Sequence, residues 1–287
     1  MKRALAWAAL LAIVAFTLLP LWLVVKTALV HPAQLYGQTA DLWPADPTLL
    51  NFRRVLGQTS VEENLALGGS GAQFDFMSSL GRSALFTGII EAVQTASAAM
   101  SAYAFARLRF PGRDLLFTLF VASMMVPQVV TFIPNFVLVK ELGWLNSMAG
   151  LVAPFCLMQG FSVFFLRQFF LSLPRDLEEA ALLEGATHLR IFWRIALPLS
   201  VLPLATIATL TGINMWNEFF WPYLVARGGD HQVLPVALQA FRTQTPQGQP
   251  DWTGLMAATA LAVIPAIIVL LAFSRRIVET IQFTGGK

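Results

Sequence analysis

"ALAWAALLAIVAFTLLPLWLVV", residues 4–25, runs for 22 residues without an Asp, Glu, Lys or Arg. A helix rises about 1.5 Å per residue, so about 20 such residues cross the roughly 30 Å hydrocarbon layer of a bilayer. Water gives so long an apolar surface no cover, whereas lipid solvates it on every side. Lipid also offers no partner to a backbone N–H or C=O, so a segment that lies there closes its hydrogen bonds internally as a helix. The run is longer than the apolar centre of a secretory signal, about 7–15 residues, and is therefore expected to be a retained anchor.

The rest of the 287-residue chain repeats the pattern. Residues 83–106 are interrupted by a single charge before the end, Glu91, and residues 115–139, 142–166, 195–217 and 253–274 carry none. With 56% hydrophobic and 12% charged residues and a mean hydropathy of +0.65, the composition excludes an ordinary soluble domain. The expected fold is all-α: a polytopic membrane helix bundle with six transmembrane helices at about 4–25, 83–106, 115–139, 145–170, 195–217 and 253–274, forming one domain over residues 1–287. Outer loops fall at 31–78 and 218–252, and a loop on the opposite face at 171–198. An even number of spans puts both termini on one side of the bilayer. Twelve of the 19 Lys and Arg residues lie on that side, several in short loops such as "RLRFPGR" at 107–113, so the positive-inside rule makes both termini cytoplasmic.

Other classes lose ground to the same reading. The net charge of +3 comes with no basic block interleaved with aromatics, which removes a nucleic-acid binder. His31, His188 and His231 sit in separate segments without an HExxH pattern, so neither a metal centre nor an intramembrane enzyme is indicated. The single cysteine, Cys156, cannot form an intrachain disulfide. "GGSG" at 68–71 reads as a linker, with no following Lys to cradle a phosphate.

Polar residues inside spans are costly and therefore informative. An acid at mid-bilayer costs roughly 2.5–3.5 kcal/mol on insertion scales, so Glu91 faces other helices or a wet cavity, as helix packing or as part of a solute path. Gln94, Asn214, Asn217 and Glu218 join it as candidates for that path. Ala98, Ala102 and Ala106 place a small residue at every fourth position and permit close helix contact. Pro127, Pro134, Pro203 and Pro265 each remove a backbone donor within a span.

Between the fourth and fifth spans stands "EAALLEGATHLRIFWRIALP", residues 179–198. Pro174 suits a first helical position, and Asp176, Glu178 and Glu179 place negative charge where the helix dipole favours it. Gly185 is expected to stop this helix in a left-handed conformation, Thr187 to cap a second, and Pro198 to mark the return to lipid. Leu177, Ala180, Ala181 and Glu184 share one side of a stub too short to be stable alone, which implies docking on the membrane surface or in a partner's groove.

Glu179-Ala180-Ala181, three residues, Gly185, nine residues, then Ile195-Ala196-Leu197-Pro198 resembles the EAA signature of the membrane permeases of binding-protein-dependent ABC importers. "MWNEFFWPYLV", residues 215–225, is similar to the stretch after the fifth span in sugar-uptake permeases. Close to the whole chain resembles the second permease subunit of maltose-type transporters. Residues 57–75 look longer than usual there, and "FTGGK" is a variant ending.

The resemblance implies a transport subunit of a bacterial or archaeal cytoplasmic membrane rather than an enzyme. It would bind no cofactor itself, leaving ATP and Mg to a cytoplasmic ABC ATPase dimer. A second homologous permease, an extracytoplasmic solute-binding protein and the lipid bilayer complete the expected partners, with no nucleic acid. The ATPase would dock through Glu179, Ala180, Ala181, Gly185, Ile195, Leu197 and Pro198. A probe loop that enters the binding protein would have its tip at Gln244, Thr245, Pro246, Gln247 and Gly248. Trp216, Phe219, Trp221 and Tyr223 would stack sugars at the pore mouth or form an interfacial belt. A peptide, amino-acid or glycerol-phosphate permease is the alternative cargo reading, with an ion-coupled transporter behind it.

Overall fold

The computed structural model describes residues 2–35, 42–71, 75–157, 159–226, 231–243 and 249–284. Among these residues the structure is helical and contains no strand. In chain order the helices are α1 (Lys2–Ala28), α2 (Leu50–Val55), α3 (Val61–Ala66), α4 (Phe76–Arg107), α5 (Arg113–Ser123), α6 (Gln128–Glu141), α7 (Met148–Val152) and α8 (Gly160–Ser172). There follow α9 (Arg175–Leu183), α10 (His188–Ile191), a π-turn (Phe192–Ala196), α11 (Leu197–Leu199), α12 (Val201–Trp216), α13 (Phe220–Val225), α14 (Leu234–Ala237), α15 (Ala240–Thr243) and α16 (Trp252–Thr284).

Among the described residues two segments are long and apolar enough to cross a membrane unaided, α1 and the Trp252–Val269 part of α16. Three further segments reach that length only as bent pairs: α5 with α6 at 98°, Met148–Phe155 with α8 at 48°, and His188–Leu199 with α12 at 79°. Counting each pair as one span gives up to five. The remaining expected span lies in α4, whose 32 residues are ample, but Glu91, Gln94 and several hydroxyls make it less apolar than the others.

The bends follow from local chemistry. After α5, Met124, Met125 and Val126 close tight bonds to the carbonyls three residues back, and Pro127 has no N–H with which to continue. It becomes the N-cap of α6 at φ −62°, ψ 131°. At the 79° bend, Pro198 removes the bond to the Arg194 carbonyl, the turn before it widens to a π-turn, and Ser200 Oγ donates to Ala196 O at 2.6 Å. Proline alone does not decide: Pro134 and Pro265 lie inside continuous helices, and Pro203 sits in the first turn of α12, where a missing N–H breaks no helical bond.

The chain divides into two compact units, Met1–Arg82 with Gln232–Pro265, and Ser83–His231 with Ala266–Lys287. The first has a core of Ala28, Val55, Phe76, Leu234, Phe241, Ala257 and Ala258. Beside that core Asn51 Nδ2 donates to Ala28 O and Val30 O at 2.8 Å each, closing the end of α1. Asn51 Oδ1 accepts from Arg54 Nη1 at 2.9 Å, and Arg54 pairs with Asp251, both side chains 2% exposed. Asp251 also caps α16 by accepting from Gly254 N at 2.9 Å, and it accepts from Ser70 N at 2.8 Å. "GGSG" is therefore no free linker at its centre: Gly69 and Ser70 are buried, and a Cβ on Gly69 would stand 1.7 Å from Arg54 Nη2. Composition suggested flexibility; a close backbone approach is what the glycine permits.

The second unit is built on Ala98, Ala102, Tyr103, Ala106, Val163, Leu166, Phe170, Ile191, Phe192, Ala196 and Ile207. Ala98 and Ala102 are fully buried and Ala106 is 5% exposed, so the small-residue row of α4 is a packing face.

Candidate functional site

α9 opens after Pro174, which serves as its N-cap rather than its first residue. It ends as the glycine pattern predicts. Gly185 takes φ +80°, its N–H bonds Leu182 O at 3.0 Å, and Ala186 N–H bonds Ala181 O at 2.9 Å. These two bonds form a Schellman motif, with Ala181 and Ala186 both packed on the core of the second unit. Thr187 Oγ1 then accepts from Arg190 N at 3.3 Å and starts α10.

This geometry sorts the candidate coupling residues. Glu179, Ala180, Gly185 and Pro198 are exposed, whereas Ala181, Ile195 and Leu197 are partly buried against the core. The side proposed from sequence is thus split: Ala181 faces inward, and Leu177, Ala180 and Glu184 do not. Leu183, 89% exposed, lies one turn from Glu179 on the outward face.

A residue outside the signature holds the segment. Arg107, the last residue of α4, donates from Nη2 to Leu173 O at 2.7 Å, and its Nε meets Glu178 Oε1 at 3.0 Å. The side chains are 4% and 13% exposed. In sequence Arg107 registered as a topological charge; its position at a helix C-terminus, where the dipole favours a cation, was the available signal. Tyr103, one turn earlier, packs its ring 5.2 Å from Phe192 and 5.8 Å from Phe170.

The candidate path residues separate into two cavities of the second unit. Glu91 lines one of about 610 Å³ with Thr95, Met100, Phe192, Trp193 and Leu204, and its Oε2 stands 2.9 Å from where a Gly212 Cβ would be. Gln94, Asn214 and Glu218 line another of about 790 Å³. Asn217 lines neither; it closes α12 by donating from Nδ2 to Ile213 O at 2.7 Å. The larger cavity adds residues that sequence reasoning passed over: Ser123, Gln128, Thr131, Gln159 and Thr211. Polar residues beside the break at Pro127 were the missed signal. Gln94 Nε2 donates to Phe155 O at 2.5 Å, and Glu218 Oε1 accepts from Trp221 N at 3.0 Å.

Trp221 is removed from the aromatic set at the pore mouth. It is fully buried, and its indole N–H lies 3.2 Å from both Gly150 O and Leu151 O. An indole that must satisfy a donor in a packed interior is an anchor between α13 and α7. Tyr223 is half exposed and stacked on Phe219 at 5.3 Å. The expected probe tip, Gln244, Thr245, Pro246, Gln247 and Gly248, lies outside the described residues.

Comparison with known proteins bears on this arrangement. Residues 94–282 match the family model described as "Binding-protein-dependent transport system inner membrane component". The arabinooligosaccharides transport system permease protein AraQ of Halalkalibacterium halodurans is 32% identical over 207 residues, 72% of this chain and 73% of that one. The sn-glycerol-3-phosphate transport system permease protein UgpE of Yersinia pestis bv. Antiqua is 36% identical over 178 residues, 61% of this chain and 62% of that one. The crystal structure of a bacterial ABC transporter involved in the import of the acidic polysaccharide alginate superposes with a TM-score of 0.76 at 23% identity. That match covers 96% of both chains, a likeness of fold. The matched segment takes in the EAA segment, the larger cavity and most of α16, and begins just after Glu91 of the smaller cavity. The chain belongs to the family of inner membrane components of binding-protein-dependent transport systems. It is a transport component and not an enzyme.

Proposed function

We propose that this chain is one permease subunit of an ATP-driven importer for a sugar or sugar-like solute handed over by an extracytoplasmic binding protein. It forms one transmembrane domain over residues 1–287 in a bacterial or archaeal cytoplasmic membrane. α1, α4, the three bent segments and α16 make six spans with both termini in the cytoplasm. A second, homologous permease completes the pore, and a cytoplasmic ABC ATPase dimer binds and hydrolyses ATP with Mg.

The reading rests on the outward face of α9. Glu179, Ala180 and Leu183 present one acid, one small and one apolar side chain on a short helix that is fixed from behind. Such a helix suits a groove in another protein. Closure of the ATPase dimer would move α9 and, through Arg107, the end of α4, which also carries Glu91 and Gln94. Alternating access then needs only that ATP and the loaded binding protein favour different states. A sugar is favoured by the likeness to the arabinooligosaccharide permease and by the amides and hydroxyls of the larger cavity; the glycerol-phosphate relative supplies the competing cargo.

Proteoliposomes holding the complete complex provide the test. Uptake of labelled oligosaccharide is expected to need internal ATP and external binding protein and to persist when proton and sodium gradients are collapsed. Uptake driven by an ion gradient without ATP would overturn the proposal.

A further inference from the structure

The larger cavity carries an inference about the charge of what passes through it. Among the described residues its polar groups are amides, hydroxyls and one carboxylate, and no Lys, Arg or His lines it. The side-chain amides of Gln128, Gln159 and Asn214 make no hydrogen bond among the described residues. Each amide both donates and accepts, which matches a hydroxyl that does the same. Phe155 and Phe161 add aromatic faces to the wall, the apolar complement that small-molecule sites combine with a few fixed polar groups.

An anionic solute needs something else. Phosphates and carboxylates are held by Arg forks, Lys, or backbone N–H groups gathered at a helix start. Two helix starts reach this wall, α6 at Gln128 and α8 at Gly160, and neither has a side-chain cap, but a helix start supplies only a partial positive charge; the full charge on the lining is that of Glu218, which accepts from Trp221 N–H at 3.0 Å. Water in a cavity of this size weakens the repulsion without abolishing it.

We propose that this cavity admits neutral polyhydroxylated solutes and discriminates against anionic ones, with Glu218 as the residue that sets the sign. The inference rests on the proposed role of the cavity as the solute path. It separates an oligosaccharide cargo from a sugar phosphate or a polyuronate. Glu218 therefore has two tasks, capping α13 and excluding anions, and glutamine retains the first while removing the second.

The assay is saturation-transfer NMR on the complete complex in nanodiscs at low salt, without binding protein, using a neutral pentose trisaccharide and a uronic-acid trisaccharide of equal length. The neutral sugar is expected to receive saturation and the uronate to receive little. Asn214→Leu should reduce the neutral signal, placing it in this cavity. Glu218→Gln should raise the uronate signal relative to the neutral one by about threefold to tenfold, as loss of one like charge in a partly watered site predicts. Uronate saturation equal to or above that of the neutral sugar in the unaltered complex would overturn the charge selection alone. Absence of both signals, in a complex whose ATP hydrolysis still responds to its binding protein, would overturn the cavity as solute path and this inference with it.

Discussion

Arg107 and Glu178 meet at 3.0 Å with side chains 4% and 13% exposed, joining the last residue of α4 to the first turn of α9. The neighbouring acid in the signature, Glu179, is exposed. Two adjacent acids therefore differ: one anchors the segment, and the other is the one that the proposed function offers to the ATPase. A pair so little exposed is not worth its full Coulomb energy, because both ions were desolvated to form it; removing one partner is the expensive change.

Arg107→Ala should accordingly destabilise the protein more than Glu178→Gln, by about 3–5 kcal/mol against about 1–3 kcal/mol. Arginine also satisfies Leu173 O, and alanine leaves that carbonyl and Glu178 without it. The exchanged pair, Arg107→Glu with Glu178→Arg, should recover only part of the loss, since it sets an acid at a helix C-terminus and forfeits the bond to Leu173 O. Thermal midpoints of the assembled complex check the order. If the pair transmits motion, each single variant should also hydrolyse more ATP per solute imported than the unaltered complex; an unchanged ratio would confine the pair to stability.

Gly185 stands where the Schellman motif needs a left-handed residue. A Cβ there would touch nothing within 4 Å, so the cost of a side chain is conformational. Gly185→Asn should be mild, Gly185→Ala should cost about 1–2 kcal/mol, and Gly185→Pro should cost most, because proline fixes φ near −65° and loses the bond to Leu182 O. Glu179→Lys should fold normally and weaken ATPase binding about tenfold or more, the worth of a charge-assisted contact of roughly 1.5–3 kcal/mol. Titration of the purified permease pair with the ATPase measures this. Equal affinities would remove Glu179 from the interface.

What the sequence made legible was local. Gly185 and Thr187 were readable because a left-handed stop and a helix cap are demands of a few consecutive residues. Pro127 was readable as a break, but Pro134 carries the same chemical signal and α6 runs through it, because packing decides whether a lost bond ends a helix. Arg107 with Glu178, and Arg54 with Asp251, 197 residues apart, were invisible for a different reason: a charge in a loop reads as solvated until the fold supplies a distant partner. The cavity was half legible. Gln94, Asn214 and Glu218 announced themselves as polar groups among apolar ones, whereas Glu91, costly on the same scale and only three residues before Gln94, lines another cavity, a separation that the neighbouring helices decide.

Topology can be tested with cysteines in a Cys156→Ser background. Leu183→Cys, at a site 89% exposed, should react with a membrane-impermeant maleimide in inverted vesicles and not in intact spheroplasts. Glu62→Cys, exposed on α3, should show the reverse. Reaction of both from the same side would contradict the six-span proposal, since an odd number of crossings between α3 and α9 is what separates them.

The Arg54–Asp251 pair makes a prediction in which a clash, a charge and pH can be told apart. Burial pushes the Asp251 carboxyl upward, but Arg54 and the backbone N–H groups of Gly254 and Ser70 outweigh it and hold the group below the ordinary carboxylate range. A carboxyl lowered on folding contributes stability that is fully present above its unfolded value of about 3.9 and is lost as pH falls through the lower folded value. The stability gap between the unaltered protein and Asp251→Asn should therefore be flat from neutral pH down to about pH 5 and close only below about pH 4. At neutral pH it should be about 3–5 kcal/mol, because asparagine keeps a cap for α16 but leaves a buried guanidinium without its counter-ion. Gly69→Ala should also destabilise, with no pH dependence of its own above pH 5, since its Cβ would stand 1.7 Å from Arg54 Nη2. In an Arg54→Ala background that clash is absent and Gly69→Ala should cost little, a non-additivity that a double-mutant cycle reads directly. Chemical denaturation in detergent, followed by tryptophan fluorescence across pH 3.5 to 7.5, measures all four variants. Additive costs for Gly69→Ala and Arg54→Ala would show that the glycine is not there to admit the guanidinium.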